Sequence, residues 1–206
     1  MNLTETINKR KSIRKFQKTQ ISKQELEQIL EAGTLAPSAK NRQPWFFYVI
    51  NDSESKKDFL ISLKNGFDNL LQKNIKDNIQ RPDIENAYFT LESMKQASSI
   101  IIVLCQRKYK ETYDDGIDWY LHATDIEVSD ILSIGASVEN MILKATEMGY
   151  GTLWICDIFY AYSEISRFLK TQDAIVSAVC IGKADENPPK RLRIPVTEVC
   201  NFYAKE

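Results

Sequence analysis

"SSIIIVLC", residues 98–105, is an unbroken apolar run of strand length. A strand with one wet face alternates apolar and polar residues, whereas a run without alternation belongs in a sheet covered on both faces. It is therefore read as a central strand. Downstream, "GTLWIC" (151–156) and "AIVSAVCIG" (174–182) read as further strands separated by a helix near 161–170. Thr124 and Glu127 have capping-box spacing, and the segment from there to Met148 has helical length and ends at Gly149. Its Ile131, Leu132, Ile134, Val138, Met141, Ile142, Leu143 and Ala145 spread around much of the circumference. Such a helix is buried on several sides, within the domain or against a second subunit.

Upstream, a short first helix precedes "ISKQELEQILEAGTLAPS". There Ser22 and Glu25 form a second capping box, Ile21 can staple onto Leu26, and the helix stops between Gly33 and Pro37. "WFFYVIN" (45–51) reads as a strand, followed by helices near 54–64 and 85–96 with an unassigned stretch between them. Residues 51–96 are richer in Lys, Asn, Asp and Gln than their flanks and read as a polar insertion. The pattern predicts one α+β domain over residues 1–206, a sandwich of helices around a modest sheet.

Lys plus Arg total 27 against 28 Asp plus Glu, for a net charge of -1. That balance provides no overall field to hold nucleic acid or an anionic membrane, so a polyanion site has to be local. The apolar runs fall short of the roughly 20 residues a membrane span needs, and no apolar signal-peptide core follows Met1. A cytoplasmic protein is expected. Cys105, Cys156, Cys180 and Cys200 stand far apart and His122 is the sole histidine, which argues against a disulfide scaffold, a metal site and a His-based hydrolase.

Charge concentrates at the two ends. "NKRKSIRKFQ" (8–17) holds Lys9, Arg10, Lys11, Arg14 and Lys15, and "KADENPPKRLRIP" (183–195) holds Lys183, Lys190, Arg191 and Arg193. Each cluster reads either as a solvated face or as an anion site. The spacing Arg10-x-Ser12-x-Arg14 alternates guanidinium forks with a hydroxyl, a mix suited to the oxygens of a phosphate monoester. In "APSAKNRQPW" (36–45), Ser38, Asn41 and Gln43 sit in a loop between helix and strand. Asn and Gln carry donor and acceptor together and can read the edge of a heterocycle, or they can simply close a Pro-bounded turn. Tyr109, Tyr113, Trp119, Tyr120 and His122 in 107–125 either stack over a planar ligand or cover their own core.

Taken together, R10-K-S-I-R-K-F16, A36-P-S-A-K-N-R-Q-P-W45 leading into a strand, and G149-Y-G-T-L-W-I-C156 resemble the FMN-dependent nitroreductase family. "SIGASVENMILKATEMG" (133–149) resembles its long central helix, and R193-I-P-V-T-E-V199 its closing segment. The resemblance covers about residues 7 to 200. It implies a three-layer α/β/α sandwich with a mostly antiparallel sheet, and a homodimer with two FMN sites at the subunit interface. Arg10, Lys11 and Ser12 would hold the FMN phosphate with Arg191 and Arg193, and Arg14 would lie towards the ribityl chain and pyrimidine side of the flavin. Pro37, Ser38, Ala39, Asn41 and Gln43 would come from the partner subunit. Trp154, Ile155 and Cys156 would line the ring edge, the Cys156 amide facing flavin N5.

The implied activity is reduction of nitroaromatic or quinone-like acceptors by NADH or NADPH in alternation through one pocket, with Arg14 stabilising charge on the reduced ring. The resemblance leaves open a reductive dehalogenase, a flavin-cleaving enzyme or a non-catalytic flavin-binding module. Two departures stand out. Asp157 follows the N5 segment, where a carboxylate turned to the ring would oppose reduction. At Thr90 and Ser93, where relatives place amides or cations, this chain has hydroxyls.

Overall fold

A computed structural model describes residues 1–76, 83–106 and 128–203. Its sheet is built from β1 (Trp45–Ile50), β2 (Ser99–Cys105), β3 (Gly151–Ile155) and β4 (Ala174–Gly182), in the order β1-β2-β4-β3 with every neighbour antiparallel. The 98–105 run is thus an inner strand, paired on both sides, with β2 buried along its whole length.

Successive β2 side chains enter two separate cores, which makes the fold a three-layer sandwich. Ile100, Ile102 and Leu104 face a core completed by α3 (Ser53–Lys76), α4 (Asp83–Gln96) and α6 (Tyr162–Leu169). Ile101, Val103 and Cys105 face α2 (Lys23–Thr34) and α5 (Val128–Glu147). A bulge opposite Val103 and Leu104 resets the alternation in β4. Before it Ile175 points to the first core and Val176 packs at the second, while after it Ala178 and Cys180 face the first.

Local signals govern the helix ends. Ser22 and Glu25 make the capping box at α2, and Ile21 and Leu26 are buried in one cluster as the staple requires. Gly149, at φ +81, closes α5: Gly149 N–H donates to Thr146 O and Tyr150 N–H to Ala145 O, the double bond of a Schellman ending. A further short helix, α1 (Leu3–Lys9), is capped by Asn2 and Glu5. The Thr124/Glu127 capping box, His122 and the 107–125 aromatics lie outside the described residues.

Three expectations need correction. The helix expected near 54–64 runs on to Lys76, because Phe59, Leu63 and Phe67 recur every fourth residue and are fully buried. Its Gly66 is a contact point and no helix end: a Cβ there would lie 2.3 Å from Ala161 Cβ and 2.6 Å from Ala161 Cα. Residues 51–96 are accordingly not a polar insertion; α3 and α4 are the cover of one sheet face. The strands expected at 45–51 and 151–156 end one residue early, at Ile50 and Ile155.

The loop after α5 is tied to α2. Tyr150 donates its hydroxyl to Glu25 Oε1 at 2.6 Å, Ser22 donates to Oε2 at 2.6 Å, and Lys183 Nζ sits 3.9 Å over the Tyr150 ring. These hydrogen bonds, that from Ser22 first, hold the Glu25 carboxyl at about 2; burial and then Glu25 push the Tyr150 phenol up to about 12.

Two stability predictions follow from this packing. Gly66→Ala should lower the free energy of unfolding by about 1–3 kcal/mol despite the better helix propensity of Ala, read from the urea midpoint. For Glu25, a depressed carboxylate contributes stability that is full above its ordinary 4.5 and lost as pH falls to about 2. The urea-midpoint gap between wild type and Glu25→Gln should therefore be open at pH 6 and close progressively below pH 4.5.

Candidate functional site

The cationic segment 10–16 is fastened to the end of the sheet by its apolar members. Ile13 N–H donates to Thr152 O at 2.8 Å, Ser12 bridges Thr152, and Phe16 bridges Ala184. Ile13 and Phe16 are buried because Gly151 and Gly182 leave space: a Cβ would fall 2.8 Å from Ile13 Cγ1 at one and 2.9 Å from Phe16 Cδ1 at the other. β3 is the sheet's outer strand, so beyond the Ser12 bridge its edge is open among the described residues. Backbone groups alternate sides along a strand, so Thr152, which accepts from Ile13 across that edge, places Trp154 on the same open edge two residues on. Trp154 is the exposed member of an otherwise buried strand.

Just past β3, Arg14, Asn86, Phe89, Thr90, Ser93 and Asp157 line a cavity of about 260 Å³. Thr90 Oγ1 donates to Asp157 Oδ2 at 2.7 Å. Arg14 is fixed through its backbone, whose N–H donates to Glu186 Oε1, an oxygen that also accepts from Lys15 N–H. The Arg14 guanidinium makes no hydrogen bond or ion pair among the described residues. Cys156 carries an exposed thiol that burial, and then the neighbouring Asp157 charge, push above its ordinary value. A neutral thiol is a poor nucleophile, so the residue's backbone is its useful part here.

The two chain ends meet. Asp185 N–H donates to Lys15 O, Lys11 Nζ to Asn187 Oδ1 at 2.8 Å and Lys190 Nζ to Asn8 Oδ1 at 2.8 Å. Lys9, Lys11 and Lys190 line a second cleft of about 450 Å³ floored by Gly149, Tyr150 and Gly151. Lys11 shares this cleft with Ile13, two residues on, and does not line the cavity that Arg14 does. Arg10 Nε lies 3.9 Å from Glu139 Oε1; burial pushes the Glu139 carboxyl up and Arg10 draws it back down. Arg191 and Arg193 lie in an exposed tail, where Arg193 Nη1 donates to Leu192 O at 3.4 Å and no hydrogen bond or ion pair among the described residues joins either to Arg10 or Ser12.

The 36–43 loop is pinned to the start of α5. Ala39 N–H donates to Ser133 Oγ at 3.2 Å, Arg42 Nη2 to Ser129 Oγ at 2.6 Å, and Arg42 Nε lies 3.2 Å from Asp130 Oδ1. Lys40, Asn41 and Gln43 all take left-handed backbone angles, φ 51, 55 and 49. Non-glycine residues in that region store strain of about 1 kcal/mol or more each, which persists where surrounding contacts dictate it. The result turns Asn41 and Gln43 outward, bonded to each other through Gln43 Nε2 and Asn41 Oδ1 at 3.3 Å, over a turn closed by Gln43 N–H donating to Ser38 Oγ. Pro37 is exposed beside them.

Sequence reading missed Asn86 and Phe89, which α4 delivers to the Arg14 cavity, and the acidic partners Glu139 and Glu186. Glu186 stood in plain view, an acid inside the basic 183–193 cluster. Among the described residues no group of His, Cys, Asp and Glu could hold a metal, and no helix is long and apolar enough to cross a membrane.

An antiparallel four-stranded sheet clothed on both faces, with a cationic segment riding on its outer strand, is the nitroreductase fold. A BluB-like flavoprotein of Clostridium difficile superposes with a TM-score of 0.77 over 99% of this chain and 100% of its own, at 25% identity. A nitroreductase-like protein of Exiguobacterium sibiricum, crystallised with FMN, does so with a TM-score of 0.75 over 98% of each chain, at 22% identity. The sequence profile of the Nitroreductase family matches residues 7–183, and the chain belongs to that family. A relative from Archaeoglobus fulgidus, with the provisional name NADH dehydrogenase/NAD(P)H nitroreductase, is 31% identical over 146 residues, 71% of this chain and 62% of that protein's length.

The Arg42–Asp130 pair is mostly shielded from water, with side chains 17% and 14% exposed. Asp130→Asn should destabilise the protein by up to about 3 kcal/mol by removing the negative charge that faces the Arg42 guanidinium, and should speed proteolytic cleavage within 38–43, followed by mass spectrometry.

Proposed function

We propose that the chain is an FMN-dependent oxidoreductase that takes electrons from NADH or NADPH and gives them to small, planar, electron-poor acceptors of the nitroaromatic or quinone type. Family membership and the C. difficile flavoprotein support the class. The observation that carries the reading is Arg14, whose guanidinium has no partner among the described residues, at a cavity beside the outer edge of β3.

The residues present fit FMN. Arg10 and Ser12 supply cation and hydroxyl for its phosphate, with Lys11 nearby and Arg191 and Arg193 reaching in from the tail. The Trp154–Cys156 stretch offers backbone groups on the open edge, among them the Cys156 N–H for flavin N5. Arg14 presents donors to the pyrimidine side, the Thr90 and Ser93 hydroxyls being spent on Asp157 and Phe89 O, and Pro37, Ser38, Ala39, Asn41 and Gln43 reach the site from a partner subunit. When bound, FMN would supply two-electron redox chemistry between nicotinamide and acceptor. The chain's own contribution is fixed charge and position: Arg14 sets a cation where negative charge grows, and the exposed Trp154 leaves the edge accessible. Donor and acceptor would use one pocket in turn.

A homodimer completes the site in this reading. Tail residues Leu192, Ile194, Val196, Val199, Phe202 and Tyr203 are 65 to 97% exposed, and Val128, Ile131 and Leu132 form an apolar row on α5. Exposed apolar area on that scale marks an interaction surface, and a second copy of this chain offers the matching one.

The test is the absorbance spectrum of purified, FMN-saturated protein before and after anaerobic NADH or NADPH. Bound flavin that is bleached by the donor and recovers with a nitroaromatic or quinone is expected. Arg10→Ala combined with Arg193→Ala should give a folded, colourless dimer. A wild type that leaves FMN free in solution would falsify the reading.

A further inference from the structure

The cavity past β3 is lined by residues of opposite charge from different parts of the chain. Arg14 comes from the segment seated on the sheet edge, and Asp157 comes from the residue after Cys156; both line the same volume of about 260 Å³. The Asp157 carboxylate is not swinging in solvent, because Thr90 on α4 donates to Oδ2 at 2.7 Å. Unit charges lining one such cavity, in a partly shielded site, each alter an equilibrium within it by roughly tenfold.

We propose that Asp157, positioned by Thr90, offsets the charge of Arg14 and so lowers the midpoint potential of the bound flavin, making the chain a stronger donor toward low-potential acceptors. This rests on the FMN-binding reading above. Bound flavin would take up two electrons with one proton, as a hydride from the nicotinamide, which would leave one negative charge for Arg14 to stabilise and Asp157 to oppose. A lone guanidinium would stabilise that charge, and a carboxylate on the same cavity wall opposes it. Thr90 is the positioning residue: without its hydroxyl the carboxylate is free to turn to water, and the offset weakens. Asp157→Asn keeps an acceptor for Thr90 and removes only the charge.

The experiment equilibrates the FMN-loaded full chain anaerobically with a reference dye and reads the ratio of reduced to oxidised flavin at fixed potential, alongside the dissociation constant of oxidised FMN. Asp157→Asn should raise the ratio about tenfold and Arg14→Gln lower it by a similar factor, the double variant returning to within about threefold of wild type. Asp157→Glu should track wild type, and Thr90→Val should shift the ratio in the Asp157→Asn direction by a smaller factor. Bound flavin whose ratio stays within about twofold of wild type in both Asp157→Asn and Thr90→Val overturns this proposal alone. A wild type that binds no FMN overturns the flavin reading and this proposal together.

Discussion

Everything at the candidate site depends on two side chains fitting into two absences. Ile13 packs where Gly151 has no Cβ, and Phe16 where Gly182 has none. These contacts bury both residues and draw the intervening cations along the outer strand. Five positive charges lie within 9–15, and mutual repulsion would otherwise spread that segment into water. Burial of an Ile and a Phe contributes on the order of 2–3 kcal/mol each, ample to hold the stretch in place. A methyl at Gly151 would meet the branched Cβ of Ile13, which has no rotamer to yield. The apolar members therefore position the polar ones, and the placement of the cations is built on a hydrophobic contact.

The second constraint is charge compensation at short range. Arg10 meets Glu139 and Lys11 meets Asn187 through their side chains, while the backbone N–H groups of Arg14 and Lys15 both donate to Glu186 and set that acid beside the cationic run. The Arg14 guanidinium has no such partner among the described residues, and Arg14 lines a cavity whose wall carries an Asp already committed to Thr90. Most of these pairs are solvent-accessible and stabilise little on their own. Their effect is to fix where positive charge sits before any ligand arrives, which is what pre-organised electrostatics requires.

Much of the fold was legible in sequence because its signals are local. The inner strand announced itself as an apolar run, α2 by its capping box, and the end of α5 by a glycine in the one place where a left-handed residue is needed. The extent of α3 was hidden because its buried stripe is thin, Phe59, Leu63 and Phe67 among charged and amide residues, and because Gly66 reads as a breaker until Ala161 is seen against it. The site was legible in part for the same reason. Arg14, Thr90, Ser93 and Asp157 were each singled out from motifs, but their convergence depends on how α4 packs past the end of β3, a tertiary fact without a local signature. Lys11 shows the limit of reading neighbours as partners. Contiguous with Arg10 and Ser12 in sequence, it lines the cleft that Ile13 does, two residues on.

The tail carries the argument one step beyond a single chain. Leu192, Phe202 and Tyr203 are almost wholly exposed, and apolar side chains of that size each forgo roughly 2 kcal/mol or more by staying in water. Arg191 and Arg193, the cations matched by motif to the anion site, lie in the same exposed stretch, on the far side of a connection already anchored at Lys190. A surface that buries the apolar tail residues would order the arginines between them as well, since both belong to one extended segment. The 36–43 loop presents its paired outward amides over left-handed angles at Lys40, Asn41 and Gln43 that its contacts to α5 hold in place. One association between copies of this chain would therefore cover the apolar tail and order its arginines together, which is why the proposed dimer and the proposed flavin site are tied to each other.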